Sequence, residues 1–299
     1  MNIYLLGATT ITGQAFIKLF EKKFYKENLI NFSRNNKKYK YLNLEDINTF
    51  IPEKGEKFFI ISFVPIWLLA EFFQNIISKK PSLINDLLGI IATSSSSIYT
   101  KKFAFSKYDK NLFLKLKNSE DKLKKFSNTI GFSLCIIEPT LIYGTIESYK
   151  DKNINLIISI MKYLPFLIIP SQTGMRQPIH AFQLAAVSIE KLICIMNNGN
   201  EFIFEKLPLG GDEIISFEEM LIRVNKYYFK NHKKYKCHIL KIPNRLFFLL
   251  LSPMLLISPK SYEALLRIGT NLSGFVKSSK ILKKDEIKFP LINDDFLIN

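Results

Sequence analysis

The chain is poor in cysteine, and its few cysteines are far apart. Its 299 residues include three: Cys135, Cys194 and Cys237. This pattern excludes a disulfide framework and contains no zinc-ligand spacing. A sparse, odd number of cysteines is typical of proteins from a reducing compartment. We therefore expect a cytoplasmic protein that binds no metal.

The chain also lacks an apolar run long enough to span a membrane. The longest runs, near residues 154–170 and 246–258, are interrupted by Pro165 and Pro253 and fall short of the ~20 residues that a span needs. No basic region precedes the apolar start of the chain, as it would in a signal peptide. We expect neither a transmembrane helix nor a signal peptide.

Acidic residues are fewer than basic ones. The 26 Asp and Glu against 42 Lys and Arg give a net charge of +16, which permits anionic partners. The lysines occur in scattered pairs, without a basic helix or an aromatic RNA-binding motif. We expect a solvated basic surface and no nucleic-acid partner, with peripheral contact to an anionic membrane as the alternative.

The first residues contain the strongest local pattern. Ile3 to Leu6 are an apolar run typical of a buried strand, and a helix is predicted from about Gly13 to Lys23. Between them stand Gly7-Ala8-Thr9-Thr10-Ile11-Thr12-Gly13. A glycine permits a sharp turn, and the free N–H groups at a helix start favour an anionic group such as a pyrophosphate. The alternative is a glycine-containing turn without a ligand.

The spacing Gly7-x-x-Thr10-x-x-Gly13 resembles the start of the extended and atypical short-chain dehydrogenase/reductases, the NAD-dependent epimerase/dehydratase family. Thr10 replaces the middle glycine of that motif. The resemblance implies an α/β fold with a Rossmann-type parallel sheet, helices on both faces and a smaller C-terminal substrate part. It divides the chain into an NAD(P)-binding domain, 1–150, and a substrate part, 151–299, from which about 175–205 return to the first domain.

The end of the second predicted strand indicates which cofactor the site prefers. Ser33 and Arg34 stand where NAD-preferring proteins place a carboxylate, and a guanidinium suits a 2′-phosphate. We therefore favour NADP over NAD, the alternative being an ordinary surface arginine. The resemblance assigns cofactor contacts to Gly7, Thr9, Thr10, Ile11, Gly13, Ser33, Arg34, Asn43, Leu44, Phe63, Val64, Pro65 and Pro139.

A serine cluster follows the fifth predicted strand. The run Thr93-Ser94-Ser95-Ser96-Ser97-Ile98-Tyr99 resembles the Ser-Ser-Ser-x-x-Val-Tyr-Gly element of extended family members. This match makes Ser95 the candidate catalytic hydroxyl.

The Tyr-x-x-x-Lys pair that usually transfers protons in this family is missing from the sequence. When Ser119-Glu120 are matched to the family's Ala-Glu, Leu112 and Leu116 occupy the Tyr and Lys positions. We therefore expect an atypical active site in which Tyr143 or Tyr99 replaces the missing acid/base.

Two later segments extend the resemblance. Glu138-Pro139-Thr140-Leu141-Ile142-Tyr143-Gly144 resembles the family's Arg-Pro-x-x-Val-Tyr-Gly, and Met175-Arg176-Gln177-Pro178-Ile179-His180 resembles an Arg-Gln-Pro-Val-His segment of an atypical subgroup. The resemblance makes Arg176 a clamp for a nucleotide-sugar diphosphate and His180 a substrate contact. The alternative for His180 is a packed, neutral core histidine.

Apolar residues dominate the C-terminal region from about 240 to 268. We expect covered core helices there, the alternative being an exposed face that docks on a membrane. The lysine-rich tail after Lys277 is expected to be mobile.

Three functions follow from these observations. The first is an NAD(P)-dependent enzyme of the sugar-nucleotide epimerase or reductase type, with a small-molecule substrate and a homodimer as its possible assembly. The second is a non-catalytic dinucleotide-binding protein, and the third is a membrane-surface assembly factor.

Overall fold

A parallel sheet of eight strands forms the centre of the fold. The computed structural model describes residues 1–23, 28–104, 106–198, 201–228 and 237–291. The strand order is that of doubly wound dinucleotide-binding folds, which confirms the predicted fold class. From one edge to the other the strands are β3 (Lys40–Tyr41), β2 (Asn28–Ser33), β1 (Asn2–Leu6), β4 (Phe58–Ser62), β5 (Leu87–Thr93), β6 (Ser133–Pro139), β13 (Phe204–Gly210) and β16 (Val276–Lys277).

Shorter strands and the helices surround this sheet. The strands outside it are β7 (Ile142–Tyr143), β8 (Thr145–Ile146), β9 (Tyr149–Lys150), β10 (Phe166–Pro170), β11 (Met175–Arg176), β12 (Ile179–His180), β14 (Ile215–Ser216) and β15 (His238–Ile242). The helices are α1 (Ile11–Lys23), α2 (Ile66–Lys79), α3 (Ser97–Thr100), α4 (Lys107–Ile130), α5 (Asn153–Tyr163), α6 (Ala181–Asn197), α7 (Phe217–Tyr228), α8 (Asn244–Leu251), α9 (Met254–Ile257), α10 (Pro259–Leu266) and α11 (Ser278–Leu282).

The central strands are apolar throughout because helices cover both faces of the sheet. In β1, Ile3 and Leu5 belong to one apolar cluster, which includes Phe16 of α1. Tyr4 and Leu6 belong to a second, which includes Phe72 of α2. This alternation follows from the two-residue period of a strand, and it fixes α1 and α2 on opposite faces.

The C-terminal segment adds the edge strand of the sheet and is then held against the fold, so the prediction of a mobile tail after Lys277 is wrong for residues 278–291. Lys277 ends the edge strand β16, which pairs with β13. The buried carboxylate of Asp212 holds the next residues by accepting hydrogen bonds from the Ser278 hydroxyl at 2.8 Å and from the N–H groups of Ser279 at 2.7 Å and Ile287 at 3.1 Å. Residues 292–299 lie outside the described residues.

A third apolar cluster lies beyond the sheet, around α5 and α7, and includes Ile158 and Val224. The prediction of covered core helices is wrong for the neighbouring α8 and α9. The side chains of Leu249, Leu256 and Ile257 are 67%, 89% and 84% exposed. Among the described residues, no helix is both long enough and apolar enough to cross a bilayer.

Candidate functional site

A cleft of about 240 Å³ opens at the carboxyl ends of β1, β2 and β4, which is where open α/β sheets bind ligands. Most residues that the resemblance assigned to the cofactor line it: Gly7, Thr9, Thr10, Ser33, Arg34, Asn43, Leu44, Val64 and Pro65. Sequence reasoning did not select the remaining lining residues, Leu6, Phe32, Asn35, Leu42, Glu45 and Leu68.

Two glycines determine the shape of the turn at the base of the cleft. Gly7 has a φ of +87°, and a Cβ there would lie 3.1 Å from the carbonyl carbon of Phe63. At Gly13, on the first helical turn, a Cβ would lie 2.2 Å from the Gly7 carbonyl oxygen. Side chains at either position would therefore push the turn away from the sheet.

Thr10, which stands at the missing middle glycine, caps α1. Its hydroxyl donates to the Gly7 carbonyl at 2.8 Å and accepts the Gly13 N–H at 3.0 Å, as N-cap hydroxyls do. Ile11 and Thr12 come next, and no preceding helical turn supplies acceptors for their N–H groups. The positive end of α1 therefore points into the turn.

Ser33 and Arg34 form the opposite wall of the cleft. The buried Ser33 oxygen accepts the N–H groups of Asn35 at 3.3 Å and Asn36 at 3.1 Å. This bonding shapes the turn that leaves Arg34 exposed. Within the part of the chain that the structure describes, Arg34 forms no ion pair. An unpaired guanidinium favours an anionic group.

Three assigned residues support the cleft without lining it. Phe63 donates its N–H to the Leu6 carbonyl at 2.9 Å and packs in the core next to Phe16. Ile11 begins α1. The Pro139 carbonyl accepts the Ser96 N–H at 3.0 Å and so anchors the serine loop.

The half-buried Ser95 lies in the loop after β5. Its side-chain oxygen accepts the Ser97 N–H at 3.2 Å, and accepting that bond leaves the hydroxyl proton available for donation. The neighbouring Ser94 donates to the buried Glu120 of α4.

Two buried carboxylates and a lysine lie beside the serine loop. Glu120 and Glu138 both pair with Lys206 of β13; its Nζ lies 3.2 Å from Glu138 Oε1. Tyr99 donates its hydroxyl to the other oxygen of Glu138. Sequence reasoning missed this cluster, and its one available signal was Glu138, which stands where the family has arginine.

Burial and neighbouring charges shift the pKa values in this cluster. Desolvation, opposed in part by Lys206 and Ser94, raises the pKa of Glu120. Bonds and charge from Glu120 and Glu138 raise the pKa of Lys206 against the effect of burial. Desolvation and the bond to Glu138 raise the pKa of Tyr99, so this phenol stays protonated at neutral pH.

The positions of the family's Tyr and Lys face the core. Leu116 is buried, and Leu112 packs against the same apolar cluster. Lys115 is turned elsewhere, with its Nζ 4.7 Å from the centre of the Trp67 ring. Matching α4 to the family's Tyr-x-x-x-Lys motif in a shifted register therefore supplies no acid/base pair.

Tyr143 and His180, both predicted in the site, lie in the core. Tyr143 is 3% exposed, and its hydroxyl accepts the Leu291 N–H at 3.1 Å. His180 caps α6: its Nδ1 accepts the Phe182 N–H at 3.3 Å. Burial lowers the pKa of His180 to about 4, as for a packed, neutral histidine.

Arg176 and Gln177 hold the C-terminal segment. The buried guanidinium of Arg176 donates to the carbonyl oxygens of Thr270 and Arg267, each at 2.6 Å. The amide of Gln177 donates to Gly211 O at 2.7 Å and Phe275 O at 3.1 Å, and its oxygen accepts from Gly274 N at 3.1 Å and Phe275 N at 3.0 Å. Arg176 is therefore not free to clamp a diphosphate.

Solved structures that resemble the chain share this fold at low sequence identity. No protein-family profile and no curated protein matches the sequence. UDP-glucuronic acid 4-epimerase from Bacillus cereus, in complex with NAD, has a TM-score of 0.61 at 12% identity and is matched over 100% of this chain and 96% of that one.

Two further structures cover nearly the whole chain. GDP-mannoheptose C4 reductase from Campylobacter jejuni, with NADP bound, has a TM-score of 0.62 at 15% identity over 96% of this chain and 94% of that one. The human epimerase family protein SDR39U1, with NADPH, has a TM-score of 0.63 at 9% identity over 97% and 96%. The chain thus has the Rossmann-type fold of NAD-dependent epimerase/dehydratase structures, which confirms at the level of fold the resemblance seen in the sequence.

Proposed function

We propose that the chain binds a nicotinamide dinucleotide in the cleft at the ends of β1, β2 and β4. One observation carries the proposal: the Gly7 turn, the positive end of α1 and the unpaired Arg34 all border the same cleft. The turn suits a pyrophosphate because the positive φ of Gly7 allows the tight turn that leads into α1, and because helix N-termini attract anions. The three similar structures described above contain NAD, NADP or NADPH, and this supports the proposal.

The chain's own residues suit each part of such a cofactor. Phe32, Leu42 and Leu68 offer apolar walls for an adenine ring. Arg34 would pair with a 2′-phosphate, which favours NADP over NAD. Asn43, whose side-chain oxygen accepts the Glu45 N–H at 3.2 Å, holds the loop that borders this part of the cleft.

Calorimetric titration with NADPH and with NADH tests the binding. We expect NADPH to bind more tightly, and Arg34→Ala to weaken NADPH binding at least about tenfold, the loss of one charge-assisted phosphate contact, while NADH binding changes little. Lys37→Ala is the matched control, because Lys37 is an exposed cation nearby that does not line the cleft. Absence of heat with either nucleotide would refute the cofactor site.

The similar structures support an oxidoreductase or epimerase that acts on a small molecule. By analogy with UDP-glucuronic acid 4-epimerase and GDP-mannoheptose C4 reductase, this molecule would be a nucleotide sugar. When bound, the cofactor would supply hydride chemistry. Ser95 would donate a hydrogen bond to a substrate oxygen and keep its proton. When a substrate hydroxyl is oxidised, Tyr99 would accept the hydroxyl proton while its own phenolic proton passes to Glu138, the acceptor of its hydrogen bond. When a carbonyl is reduced, the same two protons would move in the opposite direction.

Turnover of NADPH with a panel of nucleotide sugars, followed by absorbance, tests the reaction. We expect Tyr99→Phe and Glu138→Gln each to lower kcat by at least about a hundredfold without loss of NADPH affinity. Tyr108→Phe is the control, because Tyr108 is also a half-exposed tyrosine of this region. Full turnover in Tyr99→Phe would remove the proposed relay.

A non-catalytic dinucleotide-binding protein is the second candidate. Two observations favour it. Leu112 and Leu116, at the positions of the family's acid/base pair, pack in the core. Arg176, the predicted diphosphate clamp, is bonded to the backbone of the C-terminal segment. Tight NADPH binding without oxidation by any sugar in the panel would support this candidate, and measurable oxidation would exclude it.

A further inference from the structure

A strongly apolar surface lies on the C-terminal helices, away from the cofactor cleft. We call it the α8–α9 face; its exposed side chains are Leu246, Leu249, Leu250, Leu255, Leu256 and Ile257. Leu256 and Ile257 are 89% and 84% exposed, so they contribute nothing to the core. Contiguous apolar surface of this kind marks an interaction site in natural proteins.

An apolar groove of about 330 Å³ adjoins the α8–α9 face. Aliphatic residues and phenylalanines form its entire lining, which includes Leu250 and Leu251 of the α8 helix and Ile160 and Ile168 of α5 and β10. Ile160 and Ile168 are themselves 40% and 39% exposed. The groove and the two helices therefore form one surface that offers aliphatic contacts. No side chain that lines the groove can form a hydrogen bond.

The segments that supply the α8–α9 face and one wall of the groove are basic. Residues 152–171 and 238–258, which supply α5, β10, β15, α8 and α9, contain no Asp or Glu. They carry Lys152, Lys162, Lys241 and Arg245. Arg245 is exposed and stands four residues before Leu249 on α8, so the two share one side of the helix.

Three acidic residues stand on α7 and α10, two further helices that line the groove. On α7, Glu218 pairs with Lys241 at 3.0 Å, and Glu219 pairs with Arg223 at 2.8 Å. On α10, Glu263 forms no ion pair within the described residues. The three basic residues of the segments above that do not pair with these carboxylates outnumber Glu263, so the net charge beside the aliphatic surface is positive.

We propose that the α8–α9 face docks on an anionic phospholipid bilayer. Leu255, Leu256 and Ile257 enter the boundary between headgroups and acyl chains, while Lys162 and Arg245 contact the phosphates; this combination of aliphatic and basic side chains suits an interfacial site. A second copy of the chain fits less well, because two such faces would bring like charges together. The proposal does not depend on the cofactor site.

Co-sedimentation of the full chain with vesicles tests the proposal. Vesicles of phosphatidylcholine mixed with phosphatidylglycerol are compared with pure phosphatidylcholine vesicles. We expect pelleting with the anionic vesicles alone, weakened by salt, because the attraction is electrostatic as well as apolar. The double variant Leu256→Ser, Ile257→Ser folds normally, since both side chains are exposed, and binds at least about tenfold more weakly.

Two further variants separate the contributions. Arg245→Glu weakens binding to the anionic vesicles. Phe103→Ser, which removes an aromatic residue that is 82% exposed in another part of the chain, leaves binding unchanged. Failure to pellet with anionic vesicles, equal binding to neutral ones, or a dimer in sedimentation velocity that the double serine variant dissociates would overturn the proposal.

Discussion

Replacement of Gln177 by methionine tests whether the Arg176–His180 segment is structural. Gln177 is 1% exposed and makes four hydrogen bonds to the backbone of Gly211, Gly274 and Phe275. Methionine has nearly the same shape, so the substitution removes the bonds without opening a large cavity. We expect the free energy of unfolding to fall by about 4 to 6 kcal/mol.

The partners of the amide determine this magnitude. Gly274 is exposed and Phe275 is half-buried, so water can replace the bonds to their backbone groups, and each lost bond costs about 1 kcal/mol. The Gly211 carbonyl belongs to a buried residue; without a partner it costs between about 1 and 3 kcal/mol. The expected loss is a large share of the ~5–15 kcal/mol that stabilises a typical domain.

Urea unfolding measures the effect as a lower midpoint at an unchanged slope. Hydrogen exchange should accelerate in residues 270–282, which Gln177 helps to hold. Gln172→Met is the control, because Gln172 is exposed in the same region, and we expect it to change stability by less than about 0.5 kcal/mol. A Gln177→Met protein as stable as the wild type would refute the structural role of the amide.

Three other changes follow from the geometry. Gly13→Ala should abolish NADPH binding and lower stability by about 2 kcal/mol, measured by calorimetry and urea unfolding, because its Cβ would meet a backbone oxygen at 2.2 Å. Burial lowers the pKa of His180 from 6.5 to about 4. The free energy of unfolding should therefore fall by about 3 kcal/mol as the pH is lowered from 6.5 to 4. Urea midpoints of the His180→Asn variant should lack this loss. The Lys206→Met variant should be less stable than the wild type by about 2 kcal/mol at pH 7, and by less at pH 5. The reason is that acid protonates Glu120, whose pKa is already raised by burial. Equal losses of stability at the two pH values would contradict this.

The N-terminal half of the molecule was largely predictable from the sequence. The apolar runs of β1, β4 and β5, and the glycines at positions 7 and 13, identify buried strands and a tight turn by local chemistry alone. The sequence also placed Arg34 and Asn43 at strand ends, and parallel strands bring their carboxyl ends to one edge of a sheet. Most of the residues that line the cleft could therefore be named without coordinates.

The roles of the later residues depended on long-range packing. The side chains of Arg176 and His180 are compatible both with binding a substrate and with a structural role in the core. No local pattern reveals that Thr270 O and Phe182 N are their hydrogen-bond partners. The cluster of Glu120, Glu138 and Lys206 joins residues up to 86 positions apart, and apart from Glu138 at the family's arginine position the sequence contains no signal that these residues meet.

The sequence by itself therefore determined the Rossmann-type fold, the glycine turn and the absence of a Tyr-x-x-x-Lys pair, because each depends on short-range pattern. Tertiary structure alone decided that Tyr143 and His180 are buried, that Val276 and Lys277 complete the sheet, and that Leu256 and Ile257 are exposed. The physical reason is the same in each case: burial depends on which distant segments pack against a residue, and apolar or polar character does not specify those segments.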